Sequence, residues 1–478
     1  MKLPEAITRL GKDSLLYGTG QMLNRAVQVA VVATLTRAFT PEEYGVVDLV
    51  MTVSVLAILF TVFGMDSALA RSFYEAPDNE ARRRKATTSA LHRVIGASLV
   101  GLLLALWARP VSDLLLRSPS YEKYVRLLGW SIPFSSVVAF CNEALRITFQ
   151  PKKFIWLNAF NAVLLGGLTL WFVMFLKLSV AGVFWAKLLA DAPTALVGIV
   201  LVRHTLTRRG GSWADFRNMI AYGAPLVPMA LIYYALTYAD RQVLLRFSTL
   251  NEVGVYGFAA KIATPVLMAI AAFQLAWGPS AFAAAREEGH GRVYSRVLNL
   301  YVAGGAVVAL LIAFVAPILV KIAPASYEGA WQPGGALALA AVANGAYYIV
   351  AVGVQLRREN GWLVLTTAIA AAVTIGLAIL WVGTWGVTGV ALAMLIGFSV
   401  STALLYVVSQ WRKPFPYHGL ACLGLFVLAA ALAIASWWLG VSVTGFAVRL
   451  VVWLAFAAVA WRFALRRVEP GSEEREAA

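Results

Sequence analysis

Long apolar segments recur along this chain and are separated by short polar connections. A helix needs about 20 apolar residues to cross the hydrocarbon core of a membrane. The sequence contains fourteen segments of this kind, with approximate limits 14–36, 44–65, 89–108, 125–147, 154–176, 181–202, 218–245, 253–276, 297–322, 334–356, 362–383, 386–408, 418–439 and 445–465. The pattern predicts an all-α polytopic membrane protein with about 14 transmembrane helices.

The composition supports this fold class. Of the 478 residues, 60% are apolar and only 13% are charged, whereas soluble domains carry about 25% charged residues. Such a chain cannot cover a water-soluble surface, which excludes a soluble enzyme, a disordered chain and a nucleic-acid-binding domain. The connections on one side are all short, so any function is expected to lie within the membrane.

The distribution of basic residues predicts the orientation. If the connections are numbered alternately, 27 of the 40 Lys and Arg residues fall on the side of the two termini, 8 on the opposite side and 5 inside spans. Basic residues concentrate on the cytoplasmic side of membrane proteins. Both termini are therefore predicted to be cytoplasmic, and the net charge of +16 reflects topology and not a nucleic-acid partner.

Two distant segments resemble each other. Residues 37–47 (RAFTPEEYGVV) and 246–256 (RFSTLNEVGVY) share Arg, Thr, Glu, Gly and Val at an offset of 209 positions. A repeat of six spans preserves orientation and predicts two parallel six-helix lobes, as in transporters whose substrate path lies between such lobes. The predicted organisation is an N-lobe (1–208), a C-lobe (209–413), an accessory helix pair (414–468) and a disordered cytoplasmic tail (469–478).

The first predicted span carries polar residues on one helical face: Gln21, Asn24, Arg25 and Gln28. Polar side chains on a spanning helix face either a water-filled cavity or a hydrogen-bonding partner helix. Both interpretations stay open for the three amides. For Arg25, which has no acid within one turn, a functional role is favoured.

The charges inside the predicted spans favour an anionic substrate. Four cations belong to spans expected to line the interface between the lobes: Arg25, Lys187, Arg241 and Lys261. Tyr233 shares a helical face with Arg241. Because Arg and Lys are the usual partners of phosphate, the sequence predicts a cavity for a phosphate-bearing substrate.

The acids inside these spans are candidates for coupling transport to an H⁺ or Na⁺ gradient: Asp48, Asp191 and Asp240. Lys187 and Asp191 are four residues apart and can pair within one helix. Adjacent Asp240 and Arg241 point about 100° apart on a helix and need not pair with each other. The sequence contains no catalytic motif, and it predicts no cofactor, no metal site and no enzyme activity.

Two segments carry a family resemblance. Residues 37–75, with PEEYG and GMDSALARSFYE, and residues 238–260, YADRQVLLRFSTLNEVGVYGFAA, resemble Wzx-type polysaccharide flippases. These belong to the multidrug/oligosaccharidyl-lipid/polysaccharide (MOP) exporter superfamily, with a MATE-like and MurJ-like layout. The resemblance implies a V-shaped helix bundle with a central cationic cavity, in which the four cations bind pyrophosphate or acidic sugars.

The resemblance also implies a function in the bacterial inner membrane. The substrate is expected to be an undecaprenyl-pyrophosphate-linked oligosaccharide, which alternating access moves from the cytoplasmic to the periplasmic leaflet for O-antigen (lipopolysaccharide) or exopolysaccharide synthesis. Polysaccharide polymerase and chain-length proteins are further candidate partners, besides the phospholipid bilayer. The alternatives are a lipid II flippase and a cation-coupled multidrug exporter of the same superfamily.

Overall fold

The computed structural model describes residue 31 and residues 34–207, 209–285, 290–357, 359–412, 414–439 and 441–465. Within these ranges the backbone forms helices and turns, and no residue belongs to a β-strand. Together with the number of long apolar helices, this confirms the predicted all-α membrane protein.

The chain divides into two compact units, residues 1–234 and 235–478. The lobe boundaries derived from the repeat remain predictions. The helices that begin in the first unit are α1 (Pro41–Val62), α2 (Met65–Tyr74), α3 (Asn79–Leu106), α4 (Ala108–Leu116), α5 (Glu122–Ile147), α6 (Pro151–Leu170), α7 (Ser179–Val202), α8 (Trp213–Gly223) and α9 (Val227–Phe247).

The second unit contains the end of α9 and the remaining helices. These are α10 (Leu250–Ile262), α11 (Thr264–Ala284), α12 (His290–Leu319), α13 (Trp331–Leu356), α14 (Gly361–Arg412), α15 (Gly419–Ala435) and α16 (Val443–Ala464). Helix α13 is mostly apolar and is the most enclosed of the candidate spans among the described residues, as expected of a helix that packs on several sides. It packs against α10, α11, α12 and α14, whereas α15 and α16 pack on α12.

The predicted spans correspond to helices of the structure. Eleven helices of the described residues are long and apolar enough to cross a membrane, and the bent pair α10–α11 adds a twelfth if it counts as one span. Helix α14 has 52 residues and covers two predicted spans. The first predicted span, 14–36, lies almost entirely outside the described residues. Every other predicted span has a helical counterpart.

Two helix breaks have identifiable causes. Helices α10 and α11 meet at an angle of 48°. Pro265 occupies the second position of α11. Proline has no backbone N–H and is tolerated in the first turn of a helix, where this N–H would have no helical partner. Within α14, Gly386 has φ 53° and ψ −134°, a conformation that glycine adopts readily and other residues avoid. This break separates the two predicted spans, 362–383 and 386–408.

The two repeated turns have matching helix caps. The side chain of Thr40 accepts a hydrogen bond from the backbone N–H of Glu43 at the start of α1, and Thr249 accepts the same bond from Glu252 at the start of α10. Such caps satisfy N–H groups that have no partner inside the helix. Glu43 and Glu252 therefore lie in the first turns of their helices, where the helix dipole favours an acid.

Candidate functional site

A buried polar cluster lies among α5, α6 and α7 of the first unit. The Nζ atom of Lys187 lies 2.7 Å from Oδ2 of Asp191 and 2.8 Å from Oγ of Ser135. Ser135 also donates a hydrogen bond to Oδ2 of Asp191. The amide of Asn161 donates to Oδ1 of Asp191 at 3.1 Å and to Oγ1 of Thr194 at 3.2 Å.

Helix geometry explains the centre of this cluster. Lys187 and Asp191 are four residues apart on α7, so their side chains lie on one face of the helix, and the predicted pair is confirmed. The side chains are only 15% and 7% exposed, and both carboxylate oxygens of Asp191 accept hydrogen bonds from neighbouring helices. Such full pairing is what allows charges to remain buried.

A second cluster surrounds Asp240 on α9. Nη1 of Arg241 lies 2.7 Å from Oδ2 and 2.9 Å from Oδ1 of Asp240, and Tyr256 of α10 donates a hydrogen bond to Oδ2. The guanidinium also lies over the rings of Tyr238 and Tyr256, with the ring centroids 5.4 and 5.1 Å from Cζ. The Asp240 side chain is fully buried.

Adjacent Asp240 and Arg241 therefore pair, although their Cα–Cβ bonds diverge along the helix. The arginine side chain is long enough to fold back over one turn, and Nη1 also donates to the carbonyl of Thr237 at 3.3 Å. The helical spacing left this pair open, and the structure forms it. Two of the four predicted cavity cations, Lys187 and Arg241, thus have a carboxylate partner within their own cluster.

Three further predicted residues lie in the described part of the chain: Lys261, Tyr233 and Asp48. Lys261 is half-buried in the last turn of α10, where a cation interacts favourably with the helix dipole. Tyr233 is half-buried on α9, and Asp48 is half-buried on α1. Four further predicted site residues lie outside the described residues: Gln21, Asn24, Arg25 and Gln28.

An ion pair that the sequence did not predict lies at one end of the first unit. The fully buried Arg93 of α3 donates a hydrogen bond through Nη2 to Asp66 of α2. Its Nε and Nη1 atoms are buried without a hydrogen-bond partner. The sequence does not reveal this pair, because hydropathy carries no information about a partner 27 positions away.

The segment GMDSALARSFYE, residues 64–75, contains Asp66 of this ion pair and contacts neighbouring helices. Gly64 has φ 72° and ends the turn between α1 and α2, which presents Asp66 to Arg93. The hydroxyl of Tyr74 donates to the backbone carbonyl of Ile147 at 2.8 Å, and Arg71 lies over the ring of Tyr222. The segment therefore ties α2 to α3, α5 and α8.

No group of three His, Cys, Asp or Glu side chains in the described part of the chain is arranged to hold a metal ion. The carboxylates of the two clusters are instead occupied by Lys, Arg, Ser, Asn and Tyr donors.

Comparison with protein families gives one match over most of the chain. A family model described as "Polysaccharide biosynthesis protein" matches residues 10–283. This match covers the first repeated turn, both segments of family resemblance and both buried clusters. Among curated proteins, none matches the sequence at a significant level.

Solved transporters have similar folds. The lipid II flippase MurJ in an inward closed conformation superposes with a TM-score of 0.67 at 13% identity, over 95% of this chain and 100% of that chain. An outward-facing multidrug resistance MATE family transporter of the MOP superfamily gives 0.63 at 18% identity, over 86% and 98%. A variant of the Vibrio cholerae MATE transporter VcmN gives 0.63 at 16% identity, over 85% and 98%. The expected fold is thereby confirmed.

Proposed function

This chain belongs to the polysaccharide biosynthesis protein family, and we propose that it is a flippase for an undecaprenyl-pyrophosphate-linked oligosaccharide. It moves this substrate from the cytoplasmic to the periplasmic leaflet of a bacterial inner membrane by alternating access, with both termini in the cytoplasm. The family match carries the proposal, and the multi-pass helical fold shared with transporters supports it. The product serves the synthesis of O-antigen or another surface polysaccharide.

In this proposal the cations bind the pyrophosphate. Arg25 and Lys261 contact it directly, and Gln21, Asn24, Gln28 and Tyr233 supply hydrogen bonds to phosphate or sugar. Lys187 and Arg241 contribute after leaving their carboxylates, because a pyrophosphate oxygen can replace a carboxylate oxygen as the acceptor. Substrate binding is thereby linked to the release of a buried acid.

The released acids provide the proposed coupling to an H⁺ or Na⁺ gradient. Protonation of Asp191 removes the charge that holds Lys187, and protonation of Asp240 does the same for Arg241. Asp48 is the third candidate. An unpaired carboxylate in a buried site is unfavourable, so each acid is expected to take up a proton or a cation as its basic partner turns to the substrate.

Two other substrates remain as competing proposals within the same fold. The similarity to MurJ extends over 95% of this chain, which favours a lipid-linked peptidoglycan precursor as the second candidate. The similarity to MATE transporters supports export of a cationic drug. In the drug-export alternative, the paired carboxylates would bind the substrate and the cations would not.

Reconstituted transport tests the proposal. Wild-type protein in proteoliposomes is expected to flip an undecaprenyl-pyrophosphate-linked oligosaccharide, and Arg25→Gln and Lys261→Gln are expected to slow flipping at least tenfold. The matched control is Lys321→Gln, which removes an exposed cation after α12. Preferential flipping of lipid II, or transport of a cationic dye without glycan flipping, would overturn the proposed substrate.

A further inference from the structure

A cluster of cations lies where α3 begins, α6 begins and α7 ends. The turn Arg203–Thr205 that follows α7 packs against α3. Partial burial and the nearby positive charges of Lys153, Arg83 and Arg203 lower the pKa of the His204 imidazole. These three residues and His204 are exposed. The amide nitrogen of Gln150 lies 2.8 Å from Nε2 of His204, so a hydrogen bond holds the ring at the centre of the cluster. Three separate helices of the first unit therefore bring their cations to one place.

These cations have no carboxylate within ion-pair distance in the described part of the chain, unlike their neighbours. Arg84 pairs with Asp215 at 2.8 Å, and Arg209 pairs with Glu80. No such pair involves Arg83, Lys153 or Arg203. A concentration of unneutralised charge is unfavourable in the absence of an anion, so the cluster is suited to binding one.

The start of α6 adds to the positive potential. Pro151 occupies the first turn, no side chain caps the helix, and the turn contains no acid. Lys152 and Lys153 stand in that turn, where the partial positive charge of the helix dipole makes cations unfavourable. By contrast, α3 is capped by Asp78 and has Glu80 in its first turn. The dipole of α6 thus reinforces attraction of an anion by the cation cluster.

An apolar surface continues from the cations along the same two helices. On α6, Trp156 is 52% exposed and lies one turn beyond Lys152 and Lys153. On α7, Leu196 and Val200 are 67% and 60% exposed. They are four positions apart on α7 and share a helix face, and α7 ends two residues before His204. Helices α6 and α7 pack against each other, so the cations cap a surface suited to hydrocarbon chains.

We propose that Arg83, Lys153, Arg203 and His204 form a binding site for the phosphate headgroup of an anionic phospholipid. The acyl chains of this lipid lie along Trp156 of α6 and along Leu196 and Val200 of α7. Free phosphate would contact only the cations. A phospholipid would contact the cations through its phosphate and the adjoining apolar surface through its acyl chains. The site is separate from the transport residues and does not depend on the identity of the transported substrate.

The test measures lipid binding to the purified full-length protein. Native mass spectrometry in a neutral detergent compares phosphatidylglycerol with phosphatidylcholine of the same acyl chains. Wild-type protein is expected to bind phosphatidylglycerol more tightly. The variant Arg83→Gln/Lys153→Gln/Arg203→Gln is expected to lose about a hundredfold in that affinity, because each cation near an anionic lipid contributes about fivefold. Its affinity for phosphatidylcholine is expected to change little.

A charge-matched control separates this site from general electrostatics. The variant Arg109→Gln/Lys123→Gln/Lys177→Gln removes three exposed cations from the other ends of spans in the same unit, and it is expected to keep wild-type lipid affinity. Equal losses in the two triple variants, or no loss in the cluster variant, would overturn the proposal. So would wild-type binding of glycerol 3-phosphate as tight as that of phosphatidylglycerol, since the acyl chains would then play no part.

The measurement remains informative if the triple variant does not fold. The single variants Lys153→Gln and Arg203→Gln are then compared with Lys177→Gln, and each cluster variant is expected to lose about fivefold in phosphatidylglycerol affinity. Monodisperse elution on size exclusion confirms folding for every protein that is compared. Wild-type affinity in both single cluster variants would also overturn the proposal.

Discussion

The Glu43 carboxylate accepts a hydrogen bond from Oγ of Ser179 at 2.5 Å, and its other oxygen accepts one from the backbone N–H of Thr40 at 3.0 Å. Glu43 therefore connects the start of α1 to the start of α7. The second unit repeats the arrangement. There, the Glu252 carboxylate at the start of α10 lies against Gly386, where the second half of α14 begins.

The two repeats thus place a glutamate between two helix N-termini, each with a partial positive charge. Ser179 and Gly386 both have positive φ values, 48° and 53°, which residues other than glycine rarely adopt. Glu43 and Glu252 are related by the repeat offset of 209 positions. The structure adds that each of them contacts the start of a second helix, which the sequence does not show.

Replacing Glu43 tests this connection. Glu43→Gln is expected to lower the free energy of unfolding by about 1–3 kcal/mol, the usual effect of losing a charged hydrogen-bond partner. The matched control is Glu42→Gln, which removes the same charge from an exposed position in the same helical turn. Thermal unfolding in detergent measures both. Equal destabilisation by the two variants would show that the contact with Ser179 contributes nothing specific.

Gly64 is expected to tolerate no side chain. A Cβ atom added there would lie 2.2 Å from the carbonyl oxygen of Gly223, and φ is 72°. Both the backbone clash and the left-handed conformation disfavour alanine. Gly64→Ala is expected to lower the unfolding midpoint by several degrees, whereas Gly167→Ala, where nothing lies within 4 Å, is expected to leave it unchanged or higher. A wild-type midpoint for Gly64→Ala would contradict this close approach of α1–α2 to α8.

The Asp66–Arg93 pair is expected to contribute far more than an exposed pair. Asp66→Ala leaves the fully buried Arg93 without its partner. Leaving a buried donor unsatisfied costs about 1–3 kcal/mol, and more for a charged group. Arg71 and Glu75 form a comparable pair at 2.8 Å with both side chains more than half exposed. Glu75→Ala is expected to cost less than about 1 kcal/mol. Urea or thermal unfolding of the two variants measures the difference, and similar values for both would refute the argument from burial.

The Lys187–Asp191 pair is expected to show strong non-additivity. Lys187→Met leaves a buried carboxylate held only by Ser135 and Asn161, which is unfavourable. Adding Asp191→Leu removes that charge, so the double variant is expected to be more stable than Lys187→Met alone. A double-mutant cycle on unfolding midpoints measures this coupling. Additive effects would mean that the two charges do not interact.

The proposed coupling role of Asp240 has a separate test. Asp240→Asn keeps the size of the side chain but removes the charge that holds Arg241, and it is expected to abolish the dependence of glycan flipping on an imposed ion gradient. Tyr256→Phe serves as the control, because it removes one hydrogen bond to Asp240 while keeping the charge. Unchanged ion dependence in a well-folded Asp240→Asn protein would remove Asp240 from the coupling candidates.

The sequence alone determined the fold class, the positions of the spans and the Lys187–Asp191 pair within α7. The mean apolar character of a 20-residue segment predicts a span without any knowledge of its neighbours, and the spacing of Lys187 and Asp191 predicts their contact from helix geometry. The caps at Thr40 and Thr249 are likewise local. All these features depend on residues a few positions apart, and their physics is contained in the segment itself.

Only the tertiary structure decided which distant residues meet. Asp66 and Arg93 are 27 positions apart, and Glu43 and Ser179 are 136 positions apart. Their contacts follow from how helices pack, which hydropathy does not encode. For the same reason, the sequence shows the cations of the proposed lipid site only as separate indicators of orientation. Whether a charge is neutralised, buried or gathered with others depends on the three-dimensional positions of all its neighbours.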